Sequence, residues 1–121
     1  MINFLKKSEK KYPPLSKDQE QAMIAKYKGN REKLNELLVM HNIKFVFTVA
    51  KKYMSKTRDF DGLVQEGLKG LAEAAARFDI DRGNKFITYA GWWIRKFMLQ
   101  MFDEKRNWVE RHSTSLNSPA L

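Results

Sequence analysis

The sequence predicts an all-α fold, a compact bundle of about four main helices. Three observations lead there. Apolar residues recur at three- and four-residue spacing from Ser16 past residue 100, and no stretch alternates with the period of a strand. Helix punctuation falls between these apolar stretches, at Ser16, Gly29-Asn30, Asp59 or Asp61, and Gly83. A hydrophobic content of 43% over 121 residues suits one domain around one core.

Residues 1–15 read as a basic flexible arm, because Lys6, Lys7, Lys10 and Lys11 carry positive charge and Pro13-Pro14 forbids helix there. Ser16 starts the first helix. With Gln19 it matches a capping box, and Asp18 and Glu20 suit the positive end of the helix dipole. Ala22, Met23, Ile24, Ala25 and Tyr27 supply its apolar side, and Gly29-Asn30 ends it and can cap the next helix. One continuous second helix is expected from about residue 31 to about 54, with Leu34, Leu37, Leu38, Phe45, Val46, Val49, Ala50 and Tyr53 forming a broad buried face. Lys44, Lys51, Lys52, Lys56 and Arg58 near its second half fit either a solvated face or a phosphate track.

Asp59 or Asp61 can cap a third helix over roughly 62–77, buried through Leu63, Val64, Leu68, Leu71, Ala75 and Phe78. Gly67 and Gly70 lie inside it, where glycine costs about 1 kcal/mol against alanine; they either admit a neighbouring backbone or reflect tight packing. Residues 79–84, DIDRGN, form a turn with Gly83 as the permissive position. The fourth helix starts near Phe86 or Thr88 and extends through Met101 and Phe102 toward Trp108. The helical domain is thus placed at 16–110, with 111–121 as a polar, frayed tail.

Formal net charge is +9 and pI is near 9.8. That balance favours polyanions, nucleic acid above all, although an acidic protein surface or anionic lipid also suits it. The chain has no cysteine, and its two histidines, His41 and His112, are far apart, so neither a disulfide framework nor a metal site is expected. No phosphate-cradling glycine motif occurs. Asp79 and Asp81 flank the 79–84 turn, but Arg82 and Lys85 beside them suit local ion pairs and caps better than paired catalytic carboxylates. The expectation is a protein that is not an enzyme, with no cofactor and no small-molecule substrate. No apolar run reaches the roughly 18–20 residues of a membrane span, and residues 1–11 lack the features of a signal peptide. A cytoplasmic protein is expected.

The chemistry concentrates in residues 86–100, FITYAGWWIRKFMLQ. Tyr89, Trp92, Trp93 and Lys96 fall on one side of a helix, while Phe86, Ile94, Phe97 and Met98 supply apolar contacts elsewhere around it. Rings interleaved with cations can stack an unpaired base and hold its phosphate. The same stripe also fits a buried aromatic cluster.

Three motifs in this order, VQEG-x-x-GL from Val64, RFD-x-x-RG from Arg77 and KF-x-TYA-x-WWIR from Lys85, resemble the central domain of bacterial sigma factors, the subunits that let RNA polymerase find and open promoters. LSKDQEQAMIAKYKGN from Leu15 is similar to that family's region 1.2, and NIKFVFTVAKKY from Asn42 to its region 2.1. The resemblance implies two jobs. Asp61, Gln65 and Glu66 would dock on a coiled coil of the largest subunit of core RNA polymerase. Phe78, Asp79, Arg82, Thr88 and Tyr89 would form the pocket for a flipped adenine in the non-template strand of the promoter −10 element. Trp92 and Trp93 would wedge the upstream edge of the bubble. Asn42, Phe45 and Thr48 would form a second base pocket downstream. Lys44, Lys85, Arg95 and Arg106 would contact phosphates.

The chain departs from the family pattern in places. Gly62 replaces a usual aspartate and Leu68 a polar residue on the docking surface, with Asp61 placed to restore the charge. Lys96 stands where major members carry a glutamine that reads the upstream edge of the −10 element; a donors-only lysine can meet guanine or a phosphate. Leu99 and Gln100 also differ from the usual polar and basic residues. No helix-turn-helix for a −35 element follows, so the expectation is either a fragment of a longer sigma factor or a minimal sigma-like protein. The alternative function is a polymerase-binding mimic that does not open DNA; a generic single-strand binder has no need of the docking motif.

Overall fold

In the computed structural model the backbone is described from residue 2 to 117, and side chains at 6, 7 and 9–103. At the start of α2 (Lys17–Tyr27) the capping box forms as its spacing predicts: Ser16 Oγ accepts from the Gln19 amide at 3.1 Å, and Gln19 Oε1 accepts from the Ser16 amide at 2.9 Å. Asn30 caps α3 (Arg31–Met40) by accepting from the Lys33 amide at 3.1 Å. Six helices make up the described secondary structure, and no strand occurs among the described residues.

Two expectations of continuity or irregularity are corrected. Residues 2–11 form a helix, α1 (Ile2–Lys11), where an irregular arm was expected; the proline pair stops it rather than preventing it. The expected single helix over 31–54 is broken at residues 41–42 into α3 and α4 (Ile43–Lys52). At the break the Asn42 side-chain amide donates to the Leu38 carbonyl at 2.7 Å, competing with the helical ladder, and the His41 ring nitrogen lies 2.7 Å from the Pro13 carbonyl. The break turns two short apolar faces toward one core instead of laying one long face along it.

Asp59 caps α5 (Phe60–Arg77), accepting from the Gly62 amide at 2.9 Å. A Cβ at Gly62 would crowd the capping carboxylate of Asp59, which would have to shift to make room. A turn carrying Gly83 at φ +76° leads into α6 (Phe86–Asn117), a longer helix than expected. Residues 111–117 thus continue α6, whereas a frayed tail was expected. Residues 118–121 lie outside the described residues.

The core is built by Leu34 and Leu38 of α3, Val46, Val49 and Ala50 of α4, Leu63, Leu71 and Ala74 of α5, and Phe86, Ala90, Ile94 and Met98 of α6. The most extensive helix–helix contact among the described residues is that of α5 on α6. Gly70 makes it possible: a Cβ there would meet the Trp93 carbonyl oxygen at 2.6 Å, so the α6 backbone fills the space. Gly67 gives its space to side chains instead, Met98 and Val46.

Candidate nucleic-acid interface

Burial of Phe86, Ala90, Ile94 and Met98 fixes the rotation of α6 and turns Tyr89, Trp92, Trp93 and Lys96 outward. Trp92 is 58% exposed, while Tyr89 and Trp93 are half-buried at the core's edge and Phe97 is half-buried beside the Trp93 ring. The two indoles meet edge to face, with centroids 5.1 Å apart and planes at 89°. Lys96 Nζ lies over both, 4.9 Å from the Trp92 centroid and 5.1 Å from that of Trp93. Arg77 lies over the Trp93 ring at 5.4 Å, held by Glu73, whose hydrogen bond raises an already high guanidinium pKa. The Trp93 indole N–H is buried without an acceptor among the described residues.

Beside this cluster lies a pocket of about 280 Å³, lined by Arg77, Phe78, Asp79, Arg82, Asn84 and Tyr89. Phe78 is only 5% exposed and packs on Phe86 and Tyr89, so it floors the pocket rather than standing in it. Arg82 Nε and Asp79 Oδ2 pair at 3.3 Å on the rim. Thr88 is exposed on the first turn of α6 but outside this lining.

A second pocket, of about 220 Å³, gathers Asn42, Lys44, Phe45 and Thr48 from the start of α4 with Lys85 and Ile87 from the start of α6, and with Pro14, Leu15 and His41. Lys44 is paired with Glu9 of α1 at 2.9 Å, and Arg95 lies over the Phe45 ring at 5.6 Å. The residues at 84–89 therefore separate two concave sites, one on each side. Arg106 has a side chain outside the described residues. On the outer face of α5, Asp61 and Gln65 are exposed, and Glu66 is half-buried with its carboxylate 3.1 Å from Lys69 Nζ.

Sequence reasoning missed Arg77, Asn84, Pro14, Leu15, His41 and Ile87 as lining residues. Arg77 opens the RFD-x-x-RG motif and Asn84 follows it, so proximity in the chain was an available signal for them. It also missed two charged anchors. Glu20, read as a residue suited to the positive end of its own helix, is only 2% exposed, and its Oε1 accepts from the Phe86 amide at 2.7 Å. Burial raises the pKa of its carboxyl above 4.5, against the lowering effects of that hydrogen bond and of Lys85 and His41. Arg31 donates to the carbonyls of Ala75 at 2.9 Å and Phe78 at 2.7 Å.

Known proteins share this stretch of chain. The SigA sigma factor of RNA polymerase from Microcystis aeruginosa is 49% identical over 70 residues, 58% of this chain and 16% of that protein. SigA1 from Synechococcus elongatus is 46% identical over 70 residues, 58% of this chain and 17% of its own length. SigA from Lactococcus lactis subsp. cremoris is 40% identical over 90 residues, 71% of this chain and 24% of that protein. The chain thus spans about a quarter or less of the length of these relatives. A family model described as Sigma-70 region 2 matches residues 38–107, and by that match, over more than half its length, the chain belongs to the sigma-70 region 2 family.

Proposed function

We propose that this chain acts in transcription initiation as a sigma factor does, binding core RNA polymerase through the outer face of α5 and capturing the non-template strand of the −10 element with the aromatic end of α6. The observation that carries the reading is the exposed Trp92 ring, set edge to face on half-buried Trp93, beside a pocket walled by Tyr89, Arg77 and Arg82. Extruding a paired base costs a few kcal/mol. Stacking on an aromatic ring returns about 1–3 kcal/mol per base, so several rings acting together offset that cost. Asp79, Arg82 and Asn84 supply donors and acceptors for a base edge, and Lys44, Lys85, Arg95 and Lys96 supply charge for phosphates. Asp61, Gln65 and Glu66 suit polar, charge-assisted docking on a basic partner helix.

Run-off transcription by core polymerase with this chain added, on templates varied across the −10 region, tests the reading. Product should appear and depend on the −10 sequence. Tyr89→Ala should lower open-complex formation about tenfold or more with polymerase binding near normal, whereas Glu66→Lys should weaken polymerase binding. Binding to polymerase without any product would instead favour a mimic that occupies polymerase and leaves DNA closed.

A further inference from the structure

The turn between α5 and α6 separates the two pockets, yet it holds itself weakly. Its own contacts are the Arg82 amide to the Asp79 carbonyl at 3.4 Å, the Asp81 amide to Asp79 Oδ1 at 3.0 Å, and the Asp79–Arg82 ion pair on the rim. Gly83 sits in the left-handed region, which adds conformational freedom to a turn that Ile80 alone, partly buried against the core, braces between residues 79 and 84. Its ends are anchored by the burial of Phe78 and Phe86 against each other, and the polar grip on their backbone comes from α2 and α3.

At the end of α5, the Arg31 guanidinium donates to the carbonyls of Ala75 and Phe78, two acceptors left open where the helix stops. Its Nε donates to Asn35 Oδ1 at 2.8 Å, which orients the guanidinium plane. At the start of α6, the Glu20 carboxylate accepts from the Phe86 amide, a donor with no partner inside its own helix. Each charge has the sign that its helix end favours: a cation at the C-terminus of α5, an anion at the N-terminus of α6. The gripped atoms belong to the site. Phe78 floors one pocket, and Phe86 lies between Lys85 and Ile87, which line the other.

We propose that Glu20 and Arg31 are positioning residues for base capture: α2 and α3 reach across the domain and clamp the two ends of the turn over residues 78–86, setting the shape of both pockets. The inference rests on the function proposed above. Neither side chain touches the bound strand. Each acts through the backbone whose neighbours do. The α2–α3 pair thereby has a role in discrimination among bases, although it lines the adenine pocket nowhere.

The test uses the full chain and two labelled thymine oligodeoxynucleotides, one carrying a single adenine and the other an abasic site at the same place. The ratio of their affinities measures base capture. The slope of thymine-oligonucleotide affinity against salt measures phosphate contact alone. The wild-type ratio should be about tenfold or more, as expected for one stacked base. Glu20→Ala removes the acceptor, and Arg31→Lys keeps the charge while losing the fork. Both should bring the ratio close to one with the salt slope unchanged, and Glu20→Gln, which still offers an acceptor, should restore most of it. Hydrogen exchange at the Phe86 amide should speed up in Glu20→Ala.

A wild-type ratio that survives in both Glu20→Ala and Arg31→Lys overturns the clamp and leaves the proposed function standing. A wild-type chain that does not distinguish the two oligonucleotides overturns the proposed function itself.

Discussion

At the scale of single residues, Trp92 and Glu20 are opposite cases. Trp92 keeps more than half its surface in solvent while holding one face against Lys96 and an edge against Trp93. An exposed indole contributes little to folding, since surface changes away from special features fall within about 0.5 kcal/mol. Trp92→Ala should therefore melt near the wild-type temperature while losing about 1–3 kcal/mol of affinity for single-stranded DNA, measured by thermal denaturation and fluorescence anisotropy on the same preparation. Glu20 is buried for the sake of one backbone amide. Its folded-state pKa is raised, so the native state holds the proton at a pH where the unfolded chain has released it, and stability from this group falls as pH rises through that window above 4.5. Lys85 and His41 oppose the shift. Replacing the carboxyl by the neutral amide of Glu20→Gln removes this dependence. The melting temperature of the variant relative to wild type should rise between about pH 4 and about pH 7, in matched denaturation curves. Most of the candidate site was legible at this scale, because Asn42, Lys44, Phe45, Thr48, Asp79, Arg82 and Tyr89 sit in short motifs. Which of the rings stay in solvent was not legible: Phe78 and Trp92 belong to the same motif series, yet one is core and the other surface.

At the scale of elements, the crossing of α5 over α6 sets the site. Glycine at 70 costs its helix about 1 kcal/mol in propensity, and alanine would recover that in an open helix. Here the added methyl would meet the Trp93 carbonyl, which is backbone and cannot swing aside, and overpacking of this kind costs about 1–3 kcal/mol. Clash outweighs propensity, so Gly70→Ala should lower stability and, by pushing α6 outward at Trp93, weaken DNA binding as well. A Gly70→Ala protein with an unchanged or higher denaturation midpoint would show that the helices separate at no cost. Caps and turns were readable from local chemistry at Ser16, Asn30, Asp59 and Gly83. The break at 41–42 was not, because apolar periodicity runs through it unbroken, and the bonds that favour it include one to Pro13, 28 residues away.

For the whole molecule, the excess of positive charge acts through a few placed cations. Lys44, Lys85 and Arg95 border the second pocket, and Lys96 the aromatic pair. If most of them neutralise phosphates, single-strand affinity should fall with salt at a log–log slope of about −2 to −3, and Arg95→Gln should reduce that slope by about 0.7. Titrations across a range of salt concentrations measure both, and a flat profile would leave the cations without that role. The pairing of Lys44 with Glu9 also brings α1 against the edge of the second pocket, a neighbour that an irregular basic arm did not anticipate.

The sequence by itself determined the all-helical class, the caps, the turn at Gly83 and the family motifs, since each depends on residues within three or four positions of one another or on a contiguous pattern. Only the tertiary structure decided that one long helix becomes two, that Gly70 yields its space to the Trp93 backbone, and that Glu20 and Arg31 hold the ends of the turn. Those bonds join residues 66 and 44 positions apart. The physical reason is that burial and long-range hydrogen bonds arise when distant segments meet, and no local periodicity encodes which of them will.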